Sequence, residues 1–370
     1  MITGRVVDRR QPPGPQAAGE HRRPARGEPA CTFPRVRSAL ELRLGRQWRS
    51  RSPVDAVTAS WRRFWDLEFA SPVSKELLMT VRPFRFGIVS ALAPTAHDWT
   101  TMARRAEDLG YDTLLTPDTL RTFSPFPAIA AAAAATDTLR FGTFVLNTPL
   151  HAPTATALNT MTIDMLTNGR FELGLGAGRP GAETEAERLG IRWGTPGERV
   201  THLADTIRTV KETLRRATAS TSTGPGQLRP VQQPRPPILV AGQGRRLLRL
   251  AAEEADIIGV GVGPEGTEYD LAAKVGELRD IAGDRFPRLE LSMNIAAVGN
   301  DLPDWMRPML GGTDPRELAE KGSIALLRGS TDDMVDTLLR RREALGISYI
   351  SVNATFMDQL APVVGKLAGR

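Results

Sequence analysis

Two short apolar segments of the chain end in glycine-rich turns, FELGLGAGR at residues 171–179 and PILVAGQGR at residues 237–245. Alternating glycines after a strand let the backbone approach a ligand closely, and their free N–H groups can bind an anionic group. Two such turns favour a cofactor that carries phosphate, although each turn alone also fits a plain connection between strand and helix. The first turn does not complete the G-x-G-x-x-G pattern of dinucleotide-binding proteins, because Arg179 takes the place of the third glycine.

Few other side chains are candidates for chemistry. After residue 80 the histidines are His97, His151 and His202, and their spacing matches no zinc site. The one cysteine, Cys31, lies in the N-terminal segment, so a disulfide or a cysteine nucleophile is not expected in the rest of the chain. We therefore expect no metal site, and chemistry that depends on a cofactor, on carboxylates or on hydroxyls.

Three polar residues in loops each have two interpretations. Asp118, directly after Pro117, is either the acceptor of an Asx-turn or a catalytic carboxylate at the end of a strand. His151 either caps the helix that follows it or contacts a bound cofactor. Arg179 either binds phosphate or pairs with Glu183, four residues further on. His97 and His202 are interpreted as solvated or structural.

The net charge of +6 comes from the N-terminal segment. Residues 1–80 hold 15 of the 48 Lys and Arg residues but 8 of the 42 Asp and Glu residues, so the rest of the chain is nearly neutral and gives no electrostatic reason to bind nucleic acid. The Arg- and Pro-rich composition predicts a basic, largely disordered extension, with short amphipathic helices between residues 36 and 78 as a further option. An alternative is that translation begins at Met79.

The remainder, residues 81–370, shows a regular alternation of strand and helix patterns. The chain has 41% apolar residues but no apolar stretch long enough to span a bilayer, so a cytoplasmic protein is expected. Predicted strands cover residues 84–90, 112–116, 139–146, 171–176, 238–241, 256–262, 289–298 and 349–353. Amphipathic helices alternate with them. Eight such strands predict an α/β fold, a closed (β/α)8 TIM barrel, with the functional site at the carboxyl ends of the strands.

Several segments of this barrel resemble the luciferase-like superfamily of flavin- and coenzyme F420-dependent oxidoreductases. They are ARRAEDLGYD (103–112), LRFGTFVLN (139–147), LTNGRFELGLGAG (166–178), ILVAGQG (238–244) with Ala255-Asp256, and RGSTDD (328–333) followed by LGISYI (345–350). They occur in the expected order from Phe84 to the end of the chain. The ends of the second and third segments are similar to a predicted F420-binding branch in particular.

The resemblance implies a cofactor, F420 or alternatively FMN, that lies across the mouth of the barrel. Its phosphate would be held by the two glycine-rich turns and its ring would lie after the third strand, where the family often has a bulge. The implied cofactor-binding residues are Ser90, Asn147, Thr148, Gly176, Ala177, Gly178, Arg179, Gly242, Gln243 and Gly244. Asp118 would face the reacting edge. Family habit also implies a homodimer that acts on a small-molecule substrate.

One position departs from the family pattern. Many relatives carry Asp-His after the second strand, whereas here Thr119 follows Asp118, and His151 is the nearest replacement. The leading hypothesis is F420-dependent hydride transfer to or from a small organic substrate, with Asp118 and His151 as catalytic residues. An FMNH2-dependent monooxygenase is the alternative within the family. A non-catalytic flavin-binding or scaffold barrel is the alternative from another class.

Overall fold

The computed structural model describes residues 81–91, 93–179, 181–220, 228–300, 307 and 310–370. The predictions made for residues 1–80, including Cys31 and the start at Met79, lie outside the described residues.

The described strands form a closed barrel and a small second sheet. In chain order they are β1 (Arg85–Val89), β2 (Thr113–Thr116), β3 (Arg140–Thr143), β4 (Leu146–Asn147), β5 (Phe171–Gly176), β6 (Ile238–Ala241), β7 (Ile257–Gly259), β8 (Glu290–Ile295), β9 (Ala297–Val298), β10 (Leu326–Leu327) and β11 (Ile347–Asn353). Strands β1, β2, β3, β5, β6, β7, β8 and β11 pair in parallel around the barrel, and the β3–β5 pairing closes it. The predicted (β/α)8 barrel is confirmed.

Helices alternate with the barrel strands and cover their outer side. They are α1 (Ala96–Asp108), α2 (Pro125–Ala133), α3 (Pro153–Leu166), α4 (Glu183–Arg188), α5 (Pro196–Ala219), α6 (Arg245–Glu254), α7 (Glu268–Ala282), α8 (Pro315–Glu320), α9 (Thr331–Leu345) and α10 (Met357–Leu367). Sequence signals set many of their ends. Capping boxes at Thr195, Thr267 and Ser330 begin α5, α7 and α9, and Gly346, at φ 78°, ends α9.

The third predicted strand is divided by a bulge. Strand β3 stops at Thr143 and β4 resumes at Leu146, with a cis peptide bond between Phe144 and Val145. The neighbouring strand makes room for this bulge, because a Cβ atom at Gly174 would lie 1.8 Å from the Thr143 carbonyl oxygen. The glycine of β5 is therefore required by packing inside the barrel wall, apart from any contact with a ligand.

A buried ion cluster lies inside the barrel near the amino ends of the strands. The Arg85 guanidinium contacts Glu172 at 2.7 Å and Glu290 at 2.9 Å, and the Tyr349 hydroxyl donates to Glu172 at 2.7 Å. Burial raises the pKa of Glu290, and the Arg85 charge only partly offsets this effect. Above the cluster, Tyr349 packs against an apolar layer that contains Leu115, Leu239 and Ile257.

Besides the divided third strand, three elements differ from the sequence-based expectations. The sixth predicted strand shortens to Ile257–Gly259, and the seventh divides at Ala296, after which β9 leaves the barrel and pairs with β10. Helix α4 was not predicted.

Among the described residues, no helix is both long and apolar enough to cross a membrane, and no cluster of three metal-ligating side chains occurs.

Candidate functional site

The two glycine-rich turns lie side by side at the carboxyl end of the barrel. Strand β5 pairs in parallel with β6, with Leu175 opposite Val240, so the turns that follow both strands leave from the same edge. Gly176 closes β5 and is buried, whereas Gln243 and Gly244 are exposed. Among the described residues, no side chain caps the N-terminus of α6 at Gly244. The two turns share one mouth, as a single phosphate-bearing ligand requires.

The first turns of helices α5 and α6 connect these two segments. Arg199 of α5 donates to the carbonyl oxygen of Ala177 at 3.0 Å. Arg246 of α6 donates to the Gly197 carbonyl at 3.2 Å and to the Thr201 hydroxyl at 2.9 Å. Hydrogen bonds from Thr195 and Arg192 to the Glu198 carboxylate fix the start of α5, and they lower the pKa of Glu198 to about 2. No motif in the sequence marks Arg199 or Arg246 as residues of the site.

The turn after β5 packs against Trp193. Gly178 has a φ of 96°, and a Cβ atom there would lie 2.5 Å from the Trp193 ring. The Arg199 guanidinium lies over the Trp193 ring, 4.6 Å from the ring centroid. Gly178 is therefore needed for its backbone conformation and for the close approach of an aromatic ring.

Arg179 forms an ion pair that differs from the expected one. Its guanidinium contacts Glu185 of α4 instead of Glu183, because the chain turns at Gly181 before the helix begins. The Glu185 side chain is nearly buried, whereas that of Arg179 remains 42% exposed. The exposed part of Arg179 keeps the predicted role in anion binding open to test.

Asp118 and His151 are brought together at the mouth of the barrel. The carboxylate oxygen Oδ2 of Asp118 accepts a hydrogen bond from the backbone N–H of Asn147 at 2.8 Å and lies 2.7 Å from His151 Nε2. The Asx-turn interpretation of Asp118 is wrong, since its hydrogen bonds go to the β4 segment. The next residue, Thr119, forms local hydrogen bonds with the Thr122 hydroxyl through its backbone N–H and its own hydroxyl.

The side chain of Asn147 is buried with unused hydrogen-bonding groups. Neither its Oδ1 nor its Nδ2 has a partner among the described residues, although the residue is only 4% exposed. The next residue, Thr148, is fully buried and donates to the Gly176 carbonyl at 2.8 Å. The two predicted ring contacts are thus adjacent to the glycine turn, and Asn147 has capacity left for a ligand.

His202 of α5 supports the same segment from behind. Its Nε2 lies 3.0 Å from the Thr148 carbonyl oxygen and 3.1 Å from the His151 carbonyl oxygen. Both oxygens only accept, so Nε2 carries a hydrogen and donates to them. The structural interpretation of His202 therefore fits. Ser90, after β1, is nearly buried and donates its backbone N–H to Leu115.

A model of the luciferase-like monooxygenase family matches residues 78–301. The 5,10-methylenetetrahydromethanopterin reductase of Archaeoglobus fulgidus is 28% identical over 214 residues, which cover 53% of this chain and 60% of the relative. The chain therefore spans less than two thirds of that protein. The 4-hydroxyprotoasukamycin monooxygenase of Streptomyces nodosus subsp. asukaensis is 30% identical over 260 residues, which cover 60% of this chain and 69% of the relative.

Among solved structures, the coenzyme F420-dependent tetrahydromethanopterin reductase of Methanopyrus kandleri aligns with a TM-score of 0.60. The two are 17% identical, and the alignment covers 77% of this chain and 98% of the other. This likeness shows the shared barrel fold. The family match over more than half of the sequence shows that the chain belongs to the luciferase-like monooxygenase family.

Proposed function

We propose that this chain is an oxidoreductase that binds a flavin-type cofactor, F420 in preference to FMN, and transfers hydride to or from a small organic substrate. The observation that carries the proposal is the buried, unpartnered carboxamide of Asn147 beside the Asp118–His151 pair. Buried polar atoms without partners are rare in proteins, and a ligand is one reason for them.

The residues at the barrel mouth fit such a cofactor. The Asn147 side chain offers one acceptor and two donor hydrogens to the polar edge of a flavin-type ring. The backbone N–H groups around Gly178 and Gly244, together with Arg179, offer a site for its phosphate. F420, when bound, supplies a two-electron hydride donor or acceptor at ring position C5.

Within this proposal His151 handles the proton that accompanies hydride transfer. The Asp118 carboxylate only accepts, so His151 Nε2 carries the hydrogen that faces it, and Nδ1 is left to take or release a proton. Asp118 also fixes the backbone of Asn147, so one carboxylate orients both the proton carrier and the ring contact. Positioned acid–base groups of this kind contribute about 10²- to 10⁴-fold to a rate.

Binding of the purified full chain to oxidised F420 and to FMN, followed by fluorescence quenching, tests the proposal. We expect Asn147→Ala to weaken binding of the preferred cofactor about tenfold, the effect of one or two lost hydrogen bonds. Asn159→Ala, at an exposed position on the outer side of α3, is the matched control and should bind like the wild type. Binding of neither cofactor would refute the proposal.

An FMNH2-dependent monooxygenase is the second candidate, and the 30% identity to the Streptomyces monooxygenase favours it. Oxygen consumption with reduced FMN separates it from F420-dependent turnover, which is followed by the absorbance of F420. A non-catalytic barrel would bind a cofactor and turn over none of a broad panel of alcohols and carbonyl compounds. The contact between His151 and Asp118 supports the enzyme, since it holds a group that can carry a proton beside the unpartnered Asn147 carboxamide.

A further inference from the structure

The inner face of β8 carries polar groups that the proposed proton and hydride chemistry does not use. Glu290 forms an ion pair inside the barrel, whereas Met293 contacts helix α9 outside it. Because successive side chains of a strand point to opposite faces, Ser292 and Asn294 point inward, like Glu290. They lie one above the other on the way from the ion cluster to the mouth.

Asn294 marks the place where this inner face opens to solvent. It is exposed, although the other residues of β8 are buried. Its Oδ1 accepts a hydrogen bond at 3.0 Å from the hydroxyl of Ser351, its fully buried register partner on β11. This bond orients the carboxamide, and its Nδ2 has no partner among the described residues. Asn294 therefore presents N–H donors to the barrel interior.

Ser292 provides a second unused group, two residues deeper. Its hydroxyl oxygen is buried and has no partner among the described residues. A hydroxyl both donates and accepts, and burying it without a hydrogen bond is unfavourable. A molecule that reaches past Asn294 would satisfy both groups at once.

The charges nearby decide which kind of molecule fits. An ammonium group offers only donors and would face the donors of Asn294. A carboxylate or phosphate would be desolvated close to Glu290 and Glu172, and the guanidinium of Arg85 is already shared between these two carboxylates. An uncharged oxygen acceptor meets neither difficulty.

We infer that Ser292, Asn294 and Ser351 form a substrate subsite for an uncharged ketone or alcohol oxygen. This inference rests on the proposed function, because it names the substrate class that the same barrel mouth takes. The Asn294 carboxamide donates to the substrate oxygen, Ser351 holds the carboxamide in place, and Ser292 bonds the part of the substrate that enters deepest.

Three ring probes of similar size and different charge test the subsite on the full chain without cofactor: cyclohexanone, cyclohexanecarboxylate and cyclohexylammonium. Ligand-observed saturation-transfer NMR gives the dissociation constant of each. We expect cyclohexanone to bind at least about tenfold more tightly than either charged probe, because neither charge finds a free partner in the subsite. The inference is overturned if cyclohexanecarboxylate binds as tightly as cyclohexanone, or if cyclohexanone does not bind.

Two variants assign that binding to the subsite. Asn294→Leu removes the donor at similar size and should weaken cyclohexanone about tenfold, whereas the exposed control Asn159→Leu should leave it unchanged. If Asn294→Leu does not fold, Asn294→Asp keeps the shape and replaces the donor with a carboxylate. This variant should bind cyclohexanone more weakly and cyclohexylammonium more tightly than the wild type. Wild-type affinities in the folded variants overturn the inference.

The cofactor titration is measured separately from the probe titrations. Failure of the proposed function and failure of the subsite can therefore be distinguished. If the wild type binds neither F420 nor FMN, the proposed function is refuted, whatever the ring probes bind. Cofactor binding without selection of cyclohexanone refutes the subsite alone.

Discussion

The carboxylate of Asp118 accepts a hydrogen bond from the backbone N–H of Asn147 at 2.8 Å, so the loop after β2 holds the segment that follows the bulge. The same oxygen lies 2.7 Å from His151 Nε2. One carboxylate thus couples the orientation of an unpartnered carboxamide to that of a histidine. Four expected outcomes follow from this site and from the barrel that supports it.

Replacing Asp118 should separate its two roles. Asp118→Asn keeps an acceptor for the Asn147 N–H but removes the negative charge beside His151, so cofactor affinity should change little and turnover should fall about 10²-fold or more. Asp118→Ala removes the acceptor as well, and both turnover and affinity should fall. Fluorescence titration and steady-state kinetics measure the two effects. Equal turnover of Asp118→Asn and the wild type would contradict a catalytic role.

Replacing His202 should act on the cofactor through the backbone of the Thr148–His151 segment. His202→Leu removes the N–H that bonds two carbonyl oxygens, and we expect about tenfold weaker cofactor binding. His202→Gln places an amide donor at a similar reach and should recover part of the affinity. A general loss of packing would instead lower the affinity of both variants equally, in proportion to their loss of thermal stability.

Gly174→Ala should disrupt the barrel wall at the bulge. The added Cβ would lie 1.8 Å from the Thr143 carbonyl oxygen, a backbone atom that cannot move without breaking β3, so a loss of about 3 kcal/mol or more is expected. Gly276→Ala is the matched control. It lies inside α7 with open space around it and should raise the free energy of unfolding by about 0.5–1 kcal/mol. Urea denaturation measures both changes.

The Glu290 carboxyl should give the free energy of unfolding a specific pH dependence. Burial raises its pKa in the folded protein above the ordinary value of 4.5, so the folded state binds the proton more tightly than the unfolded chain. This contribution is fully present below pH 4.5 and is lost as the pH rises through the raised pKa. Relative to Glu290→Gln, the wild type should lose stability over that range in urea titrations. A gain over the same range would contradict the assignment.

Local patterns in the sequence predict much of the barrel. Ser330 and Asp333 lie at the spacing of a capping box, and α9 begins there because the two side chains bond each other's backbone N–H groups. Strands β5 and β6 have their predicted bounds, and the glycine-rich turns follow them as expected. These features depend on neighbours within a few residues, so sequence alone reveals them.

Other features depend on contacts between distant segments. Residues 139–146 have the pattern of one continuous strand, and only the space left by Gly174 shows that the strand bulges. His202 lies within an amphipathic helix, and nothing in the local pattern indicates that it bonds the carbonyl oxygens of Thr148 and His151. Asn294 gives no signal within an apolar strand, yet it is the residue at which the inner face opens.

The sequence by itself determined the eight strand–helix units, the position of the glycine turns and the family, because periodicity, caps and short motifs are local properties of the chain. Only the tertiary structure decided which side chains meet. Closure of the barrel brings Asp118, Asn147 and His151 within hydrogen-bond distance and leaves the Asn147 carboxamide buried, with no partner in the part of the chain that the structure describes. Such contacts depend on the stagger of neighbouring strands and the path of their loops, which no local pattern encodes.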